Sequence, residues 1–193
     1  MHSGWGIVVA VNASADVIER RRIVVVRETA EGGKMPFHHA ETLGLPKAEK
    51  YIAEYTDDCE RLAKQEIGRL LEELRSRDWG LVRAALVLAS GKSLPDLAKI
   101  LAAHPLIHTA EGELFRNVVQ RACESFGIPV VGYPERKLTE SAQEILGQDT
   151  DIPSRLAEIG KTLGPPWTAD HKSAALAAFL ALKTGRARKA STK

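Results

Sequence analysis

The sequence predicts an α/β fold in which helices flank a mixed central sheet, with antiparallel early strands and parallel later strands. Two patterns lead to this prediction. Two β-branched runs near the N-terminus are separated by a short turn-rich patch, and further strand-like runs then alternate with helical patterns. The 193 residues, of which 44% are hydrophobic and 27% are charged, are enough for one domain with an ordinary buried core.

The first strands are predicted from the β-branched run 7–11 and from residues 17–27, which contain a second β-branched run at 23–26, on either side of the turn-forming residues 12–16. Such a pattern is typical of an antiparallel hairpin. After a glycine-rich turn, residues 35–43 predict a third strand, with a proline at its start or on a sheet edge.

Helical patterns dominate the rest of the chain. Apolar residues recur at three- to five-residue steps between Ile52 and Leu74, which predicts a long helix opened by Pro46. Residues 82–89 are almost entirely apolar, which is typical of a strand buried on both faces of a parallel sheet. The remaining segments predict a strand over residues 128–131 and helices over residues 93–103, 109–126, 139–146, 153–163 and 168–183.

The net charge of +2 arises at the C-terminal end. Residues 183–193 carry five basic and no acidic residues, so the remaining chain has 22 basic and 25 acidic residues and a net charge of −3. We therefore predict a single domain over residues 1–183 and a basic disordered tail over residues 184–193. The tail is expected either to keep the protein in solution or to contact phosphate groups without sequence preference.

Cysteine usage and hydropathy indicate in which cellular compartment the protein is expected. The two cysteines, Cys59 and Cys123, have no metal-binding spacing, which favours buried, reduced thiols. The N-terminus lacks the basic segment of a signal peptide. The longest apolar run, residues 174–182, is shorter than the roughly 20 residues that span a bilayer. We therefore expect a soluble, cytoplasmic protein with no membrane partner.

Residues 90–93 read Ser-Gly-Lys-Ser and lie between a predicted strand and a predicted helix. A phosphate-binding loop of the common type also requires a glycine five residues before Gly91, where this chain has Leu86. A turn followed by a capping box therefore explains the segment. The alternative is an anion site at the helix N-terminus, with Ser90 and Lys92 as candidate binding residues.

A dense cluster of polar residues contains His104, His108, Glu111 and Glu113. Two imidazoles and a carboxylate can bind a metal ion, but Pro105 is expected to disturb the i, i+4 geometry of the two histidines on a helix. The segment also fits a helix start, with Thr109 as the cap and the two acidic residues in the first turn. Both interpretations stay open, and Arg116 is a candidate binding residue on the same helix.

Three other polar segments each have a structural and a functional interpretation. His38 and His39 are expected at the solvated edge of the third strand. The three arginines at residues 20–22 are more typical of a charged sheet edge than of a phosphate-binding site.

Asp170 fits the first turn of the last helix, where its negative charge interacts favourably with the helix dipole. It is also a candidate catalytic carboxylate, with Lys172 as a neighbouring candidate binding residue.

Five short segments occur along the chain in a characteristic order: residues 3–8 (SGWGIV), 82–89, 110–112, 128–131 and 170–175. Together with the order of the elements, they resemble the ribonuclease-H-like superfamily, in particular its branch of RuvC-type Holliday-junction resolvases. The resemblance covers most of residues 3–182. It implies that the mixed sheet has the ribonuclease-H-like arrangement.

The resemblance also implies a kind of chemistry, because members of that family cut nucleic acid with two metal ions held by three or four carboxylates. In this chain the first-strand acid has no counterpart, and Ser90 and Ser173 stand at two other positions, which leaves Asp170. One carboxylate cannot hold two Mg²⁺ ions. We therefore expect a nucleic-acid-associated or interaction module that lacks the family's two-metal nuclease site, and the sequence identifies no certain cofactor for it.

Two other functions stay open. In the first, the chain is a divergent metal-dependent nuclease or hydrolase with His108, Glu111 and Asp170 as catalytic residues. Glu111 and Asp170 would then bind Mg²⁺ or Mn²⁺. In the second, the chain binds a nucleotide or another small molecule at the turn that contains Lys92.

Overall fold

The computed structural model describes residues 1–89, 93–148 and 150–190, and its α/β class is the one predicted. The elements in chain order are β1 (Trp5–Val11), β2 (Val17–Val24), α1 (Pro36–Glu41), α2 (Leu45–Arg75), β3 (Ala84–Leu88), α3 (Leu97–Leu101), α4 (His104–Ser125), β4 (Val130–Pro134), α5 (Leu138–Leu146), α6 (Ile152–Leu163) and α7 (Ala169–Ala190). Within these described ranges, no helix combines the length and the apolar character that crossing a bilayer requires.

The strands pair in the predicted directions. The early strands β1 and β2 form an antiparallel pair, and the later strands β3 and β4 form a parallel pair. In the parallel pair Ala84 lies opposite Val130, and Gly132 lies opposite Leu86. A Cβ atom on Gly132 would overlap the side chain of Leu88, so this glycine allows the close packing of Leu88. Among the described residues these are two separate two-stranded sheets, whereas the sequence predicted one mixed sheet.

The chain divides into two compact units. Unit 1 contains Met1–Gly6, Ile23–Leu81 and Ser90–Ile128, and unit 2 contains Ile7–Arg22, Val82–Ala89 and Pro129–Lys193. The boundaries of a single domain over residues 1–183 and a tail over residues 184–193 stay a prediction, and α7 continues to Ala190.

Unit 1 is built on the long helix α2, which packs against α4. The predicted apolar stripe is the buried face of α2, where Tyr55, Ile67 and Leu74 are at most 7% exposed. Cys59 and Cys123 are buried and unpaired, as predicted. Burial raises the pKa of Cys59 to about 12 and that of Cys123 to about 11, so both remain thiols at neutral pH.

Unit 2 has its core on α7, which packs against β3 and α5. Phe179 and Leu180 of α7 are almost fully buried there. The indole Nε1 of Trp167 donates a hydrogen bond to the carbonyl of Leu156 at 2.8 Å, which joins the start of α7 to α6. Arg20 closes the C-terminal end of α6, because its guanidinium donates to the carbonyls of the residues that follow the helix.

One predicted strand is wrong. Residues 35–43 contain the short helix α1, in which Pro36 takes the first turn, where a missing N–H has no cost. Phe37 and Ala40 are three positions apart and both are buried, so the segment follows the helical period rather than the strand period. The two histidines of this segment therefore lie on a helix, and not on a sheet edge.

Candidate metal centre

The site begins at the first turn of α4, which starts at His104 and not at Thr109 as predicted. Pro105 follows within the first turn, where its ring and missing N–H do not disturb the helix. His104 and His108 therefore lie on one face, with their Nε2 atoms 3.1 Å apart. The expectation that Pro105 disturbs this pair is wrong, and Thr109 lies inside the helix, where its hydroxyl donates to the Pro105 carbonyl.

Helix α1 supplies a third imidazole. The His38 ring lies 4.7 Å from the His108 ring and 5.1 Å from the His104 ring, measured between centroids. One ring nitrogen from each of these three residues lies within 4.8 Å of the other two. We call His38, His104 and His108 the histidine cluster.

The spacing of the histidine cluster is close to that of a metal centre. A tetrahedral Zn²⁺ ion with Zn–N bonds of about 2.0–2.1 Å keeps its nitrogen ligands about 3.4 Å apart. The Nε2 atoms of His104 and His108 are already near this separation. Since one ring nitrogen of each residue lies within 4.8 Å of the other two, a modest closer approach of the three rings brings the third ligand into range.

Glu111 lies behind the cluster, one helical turn after His108. Its side chain is 6% exposed, and its Oε1 atom lies 2.8 Å from Nδ1 of His38. Because an ionised carboxylate only accepts hydrogen bonds, this contact suits the tautomer of neutral His38 in which Nδ1 carries the hydrogen and Nε2 keeps its lone pair. The Oε2 atom lies 3.9 Å from Nδ1 of His108, so both rings turn the same nitrogen toward the carboxylate.

The cluster is open to solvent on one side. The side chain of His38 is 20% exposed and that of His108 is 55% exposed. In the part of the chain that the structure describes, the group holds three potential ligands and no fourth. Structural zinc sites normally have four protein ligands, whereas catalytic sites leave one position for water or substrate.

The neighbouring aromatic residues do not add a ligand. The ring of His39 faces Glu31, with Nε2 3.3 Å from the carboxylate, and it packs on Tyr51 at 4.7 Å between centroids. The Tyr51 hydroxyl donates to the Glu31 carbonyl at 2.7 Å. Burial and the nearby Glu31 charge raise the pKa of Tyr51 to about 12, so it remains a neutral phenol.

The other predicted site residues have different surroundings. Arg116 is buried, and its Nη2 atom donates to Glu113 at 3.0 Å, which makes an ion pair within α4. Ser90 and Lys92 lie outside the described residues. The helix that follows them begins after Asp96, whose carboxylate caps it by accepting from the backbone N–H of Lys99, and not after Ser93 as predicted.

Asp170 and Lys172 lie in unit 2, in the first turns of α7, and His108 and Glu111 lie in unit 1. The Asp170 carboxylate is in the first turn, as the dipole argument predicted. A metal ion shared by Asp170 and Glu111 stays a prediction.

The start of α7 also contains a buried histidine. His171 is 5% exposed, and its Nδ1 atom lies 2.8 Å from the Thr168 hydroxyl and 3.3 Å from the Thr168 backbone nitrogen. Burial lowers the pKa of His171, and the positive charge of Arg20 lowers it further. A neutral His171 therefore accepts hydrogen bonds at the start of its own helix.

Sequence reasoning named His104, His108 and Glu111 as a possible metal-binding group but missed His38. Residues 104, 108 and 111 fall on one face of any helix that begins at residue 104, and the expected effect of Pro105 weighed against that geometry. His38 was assigned to a strand edge, and its approach to α4 is a tertiary contact. The signal that could have identified His38 was a pair of adjacent histidines shortly after Pro36, since proline is common in the first turn of a helix.

The chain matches no protein-family model, no curated protein and no solved structure. The interpretation of the histidine cluster therefore depends on its own geometry. Three imidazole nitrogens, a buried carboxylate behind one of them and an exposed front are its defining features.

Proposed function

We propose that this protein binds a divalent transition-metal ion at His38, His104 and His108. The observation that carries the proposal is the convergence of three ring nitrogens within 4.8 Å, from two different helices. Neutral imidazole is the commonest metal ligand in proteins, and it suits Zn²⁺ and its neighbours, whereas Mg²⁺ prefers oxygen ligands. The cluster therefore favours Zn²⁺ over the Mg²⁺ or Mn²⁺ named above for the hydrolase alternative.

The open front of the cluster supports hydrolysis as its function. A zinc ion with three protein ligands keeps a position for water and makes that water acidic enough to act near neutral pH. The exposure of His104 and His108 gives solvent and substrate access to that position. This proposal keeps the predicted hydrolase alternative with His108 and Glu111, and it does not use Asp170.

Metal binding is tested by calorimetric titration of metal-free protein with Zn²⁺. We expect one ion per chain, and we expect the single substitutions His38→Ala, His104→Ala and His108→Ala each to weaken binding at least 100-fold. His39→Ala is the matched control, because this neighbouring imidazole faces Glu31 instead of the cluster. No binding by the wild-type protein, or equal binding by all four variants, contradicts the proposal.

Hydrolysis is tested separately with p-nitrophenyl acetate and bis(p-nitrophenyl) phosphate, which represent carboxylic and phosphoric esters. The Zn²⁺-loaded protein is expected to release nitrophenol from at least one of them, and His108→Ala is expected to lose this activity. If the loaded wild-type protein is no faster than His108→Ala on both esters, the hydrolytic part of the proposal is wrong and metal binding stands.

We propose the ribonuclease-H-like arrangement as the finer assignment of the fold. It is supported by the antiparallel pair β1–β2, by the parallel pair β3–β4 that follows it, and by the packing of α7 on β3. The assignment requires the two pairs to join in one mixed sheet, whereas the described residues form two separate sheets. An experimental structure with all four strands in one sheet would agree with the assignment, and one that keeps the two pairs apart would contradict it.

A further inference from the structure

We infer that Glu111 is the positioning residue of the proposed metal centre: its carboxylate fixes the orientation and tautomer of His38 and thereby sets the affinity for the ion. This inference rests on the proposed metal binding. It assigns a role to a buried acid that the ligand set itself does not use.

The first observation is the burial of an acid among histidines. Glu111 is 4% exposed on α4. A carboxylate removed from water requires hydrogen-bond donors, since burial of an unpaired charge is strongly unfavourable. Both donors come from His38 on α1: its ring Nδ1 at 2.8 Å and its backbone nitrogen at 3.4 Å. The Glu111 carboxylate therefore holds His38 through two hydrogen bonds, one to the ring and one to the backbone.

The second observation is which nitrogen is held. When the ionised Glu111 accepts from Nδ1 of neutral His38, the lone pair of the ring is on Nε2, which is the nitrogen on the far side of the ring. His104 and His108 also bring their Nε2 atoms together, 3.1 Å apart. All three residues can thus bind one ion through the same kind of nitrogen, with the carboxylate behind the ligands.

The physical effect of such a carboxylate is known in general terms. It fixes the ring, selects the tautomer and makes the imidazole a stronger electron-pair donor to the metal. Removing it from a metal site typically costs roughly 10- to 100-fold in metal affinity. A carboxylate that only attached α1 to α4 would instead change the stability of the metal-free fold and leave the intrinsic affinity unchanged.

The experiment compares Glu111→Gln with Glu113→Gln in the full chain. The first substitution keeps the size of the side chain and one oxygen acceptor, but it removes the negative charge behind His38. The second removes the same charge two residues away, where the carboxylate pairs with Arg116 and does not contact the cluster. Zn²⁺ and Co²⁺ affinities, the visible spectrum of bound Co²⁺ and the melting temperature of the metal-free protein are measured for each.

We expect Glu111→Gln to bind Zn²⁺ 10- to 100-fold more weakly and to shift the Co²⁺ absorption bands. Glu113→Gln is expected to stay within about twofold of wild type in metal affinity, whatever its melting temperature. Wild-type binding with unchanged affinity in Glu111→Gln overturns the inference about Glu111 and leaves the metal site intact. Absence of binding in the wild type overturns the metal site itself.

A second measurement keeps the inference testable if Glu111→Gln does not fold. Nitrogen-15 NMR of the histidine side chains in the Zn²⁺-loaded wild-type protein reports which ring nitrogen binds the ion. We expect His38 to bind through Nε2 and to keep its hydrogen on Nδ1. Binding through Nδ1 would require the Glu111 contact to break and would overturn the inference.

Discussion

Helices α4 and α7 both begin with histidines near a proline but use those histidines differently. Helix α4 begins His104-Pro105, and His108 follows one turn later, whereas α7 begins Ala169-Asp170-His171 shortly after Pro165 and Pro166. At the start of α4, His104 and His108 remain on the surface beside the imidazole of His38. At the start of α7, His171 is buried against Trp167 and accepts hydrogen bonds from its own helix start.

The difference shows that neighbouring elements decide whether a histidine is available for chemistry. The ring nitrogens of α4 meet a third imidazole, because α1 packs against α4 and presents His38 there. The ring of His171 meets the Thr168 hydroxyl and a tryptophan, and the Arg20 charge nearby disfavours its protonation. The first arrangement can bind a cation, and the second stabilises a helix end.

The largest expected effect separates the two helix starts by their response to zinc. A protein that binds Zn²⁺ only in its folded state is stabilised by about 2.7 kcal/mol when free Zn²⁺ is at 100 times its dissociation constant. We expect this gain in the free energy of unfolding for the wild type and for His171→Ala, and none for His104→Ala. Urea titrations with and without Zn²⁺ measure it. If Zn²⁺ does not raise the free energy of unfolding of His171→Ala, the distinction between the starts of α4 and α7 is wrong.

The next effect concerns the structural role of His171. His171→Ala removes the nitrogen that accepts hydrogen bonds from the hydroxyl and the backbone N–H of Thr168, and it leaves a space beside Trp167. We therefore expect the free energy of unfolding without added metal to fall by about 1–3 kcal/mol. His108→Ala is the control, because an exposed ring contributes little packing, and its loss should be below about 1 kcal/mol. Equal losses in the two variants would contradict the comparison.

Arg20 tests how the C-terminal end of α6, which precedes α7, is closed. Its guanidinium donates to the carbonyls of Leu163, Gly164 and Pro166 at 2.9, 2.8 and 2.6 Å. Arg20→Lys keeps the charge but cannot reach three carbonyls with one fixed planar group, so we expect a loss of about 1–2 kcal/mol in stability. Arg20→Met also removes the charge and should raise the pKa of His171. Chemical denaturation and histidine NMR titration measure the two effects.

The pH dependence of stability provides a smaller test of His171. Its pKa in the folded state is lower than the ordinary value of 6.5, so the unfolded chain binds the proton more readily. Its contribution is fully present above pH 6.5 and is lost as the pH falls through the folded-state pKa. We expect His171→Gln to lose less stability than the wild type between pH 7 and pH 5. A steeper loss in the variant would mean that His171 is charged in the folded protein.

The sequence predicted those parts of the molecule that depend on local pattern. The apolar period of α2 and the β-branched runs of β1 and β2 are visible without any tertiary information. The cluster depends on a contact between α1 and α4, and neither periodicity nor capping signals contain that contact. His38 was missed for this reason, and because the glycine turn and Pro36 were interpreted as the start of an edge strand where Phe37 and Ala40 bury a helical face.

The smallest expected effect concerns nucleic acid, which the sequence predicts as a partner. Residues 184–193 hold four basic residues, whereas Lys172 is a single exposed charge at the start of α7. Each phosphate that is neutralised on a single strand contributes about 0.7 to the steepness of log K against log salt concentration, where K is the binding constant. Deletion of residues 184–193 should therefore reduce this steepness by up to roughly 2.8. Lys172→Ala should change it by about 0.7 or less. Filter binding of single-stranded DNA at several salt concentrations measures both. A larger effect of Lys172→Ala than of the deletion would place a nucleic-acid site at the start of α7, and that helix start would then have a binding role besides the structural role of His171.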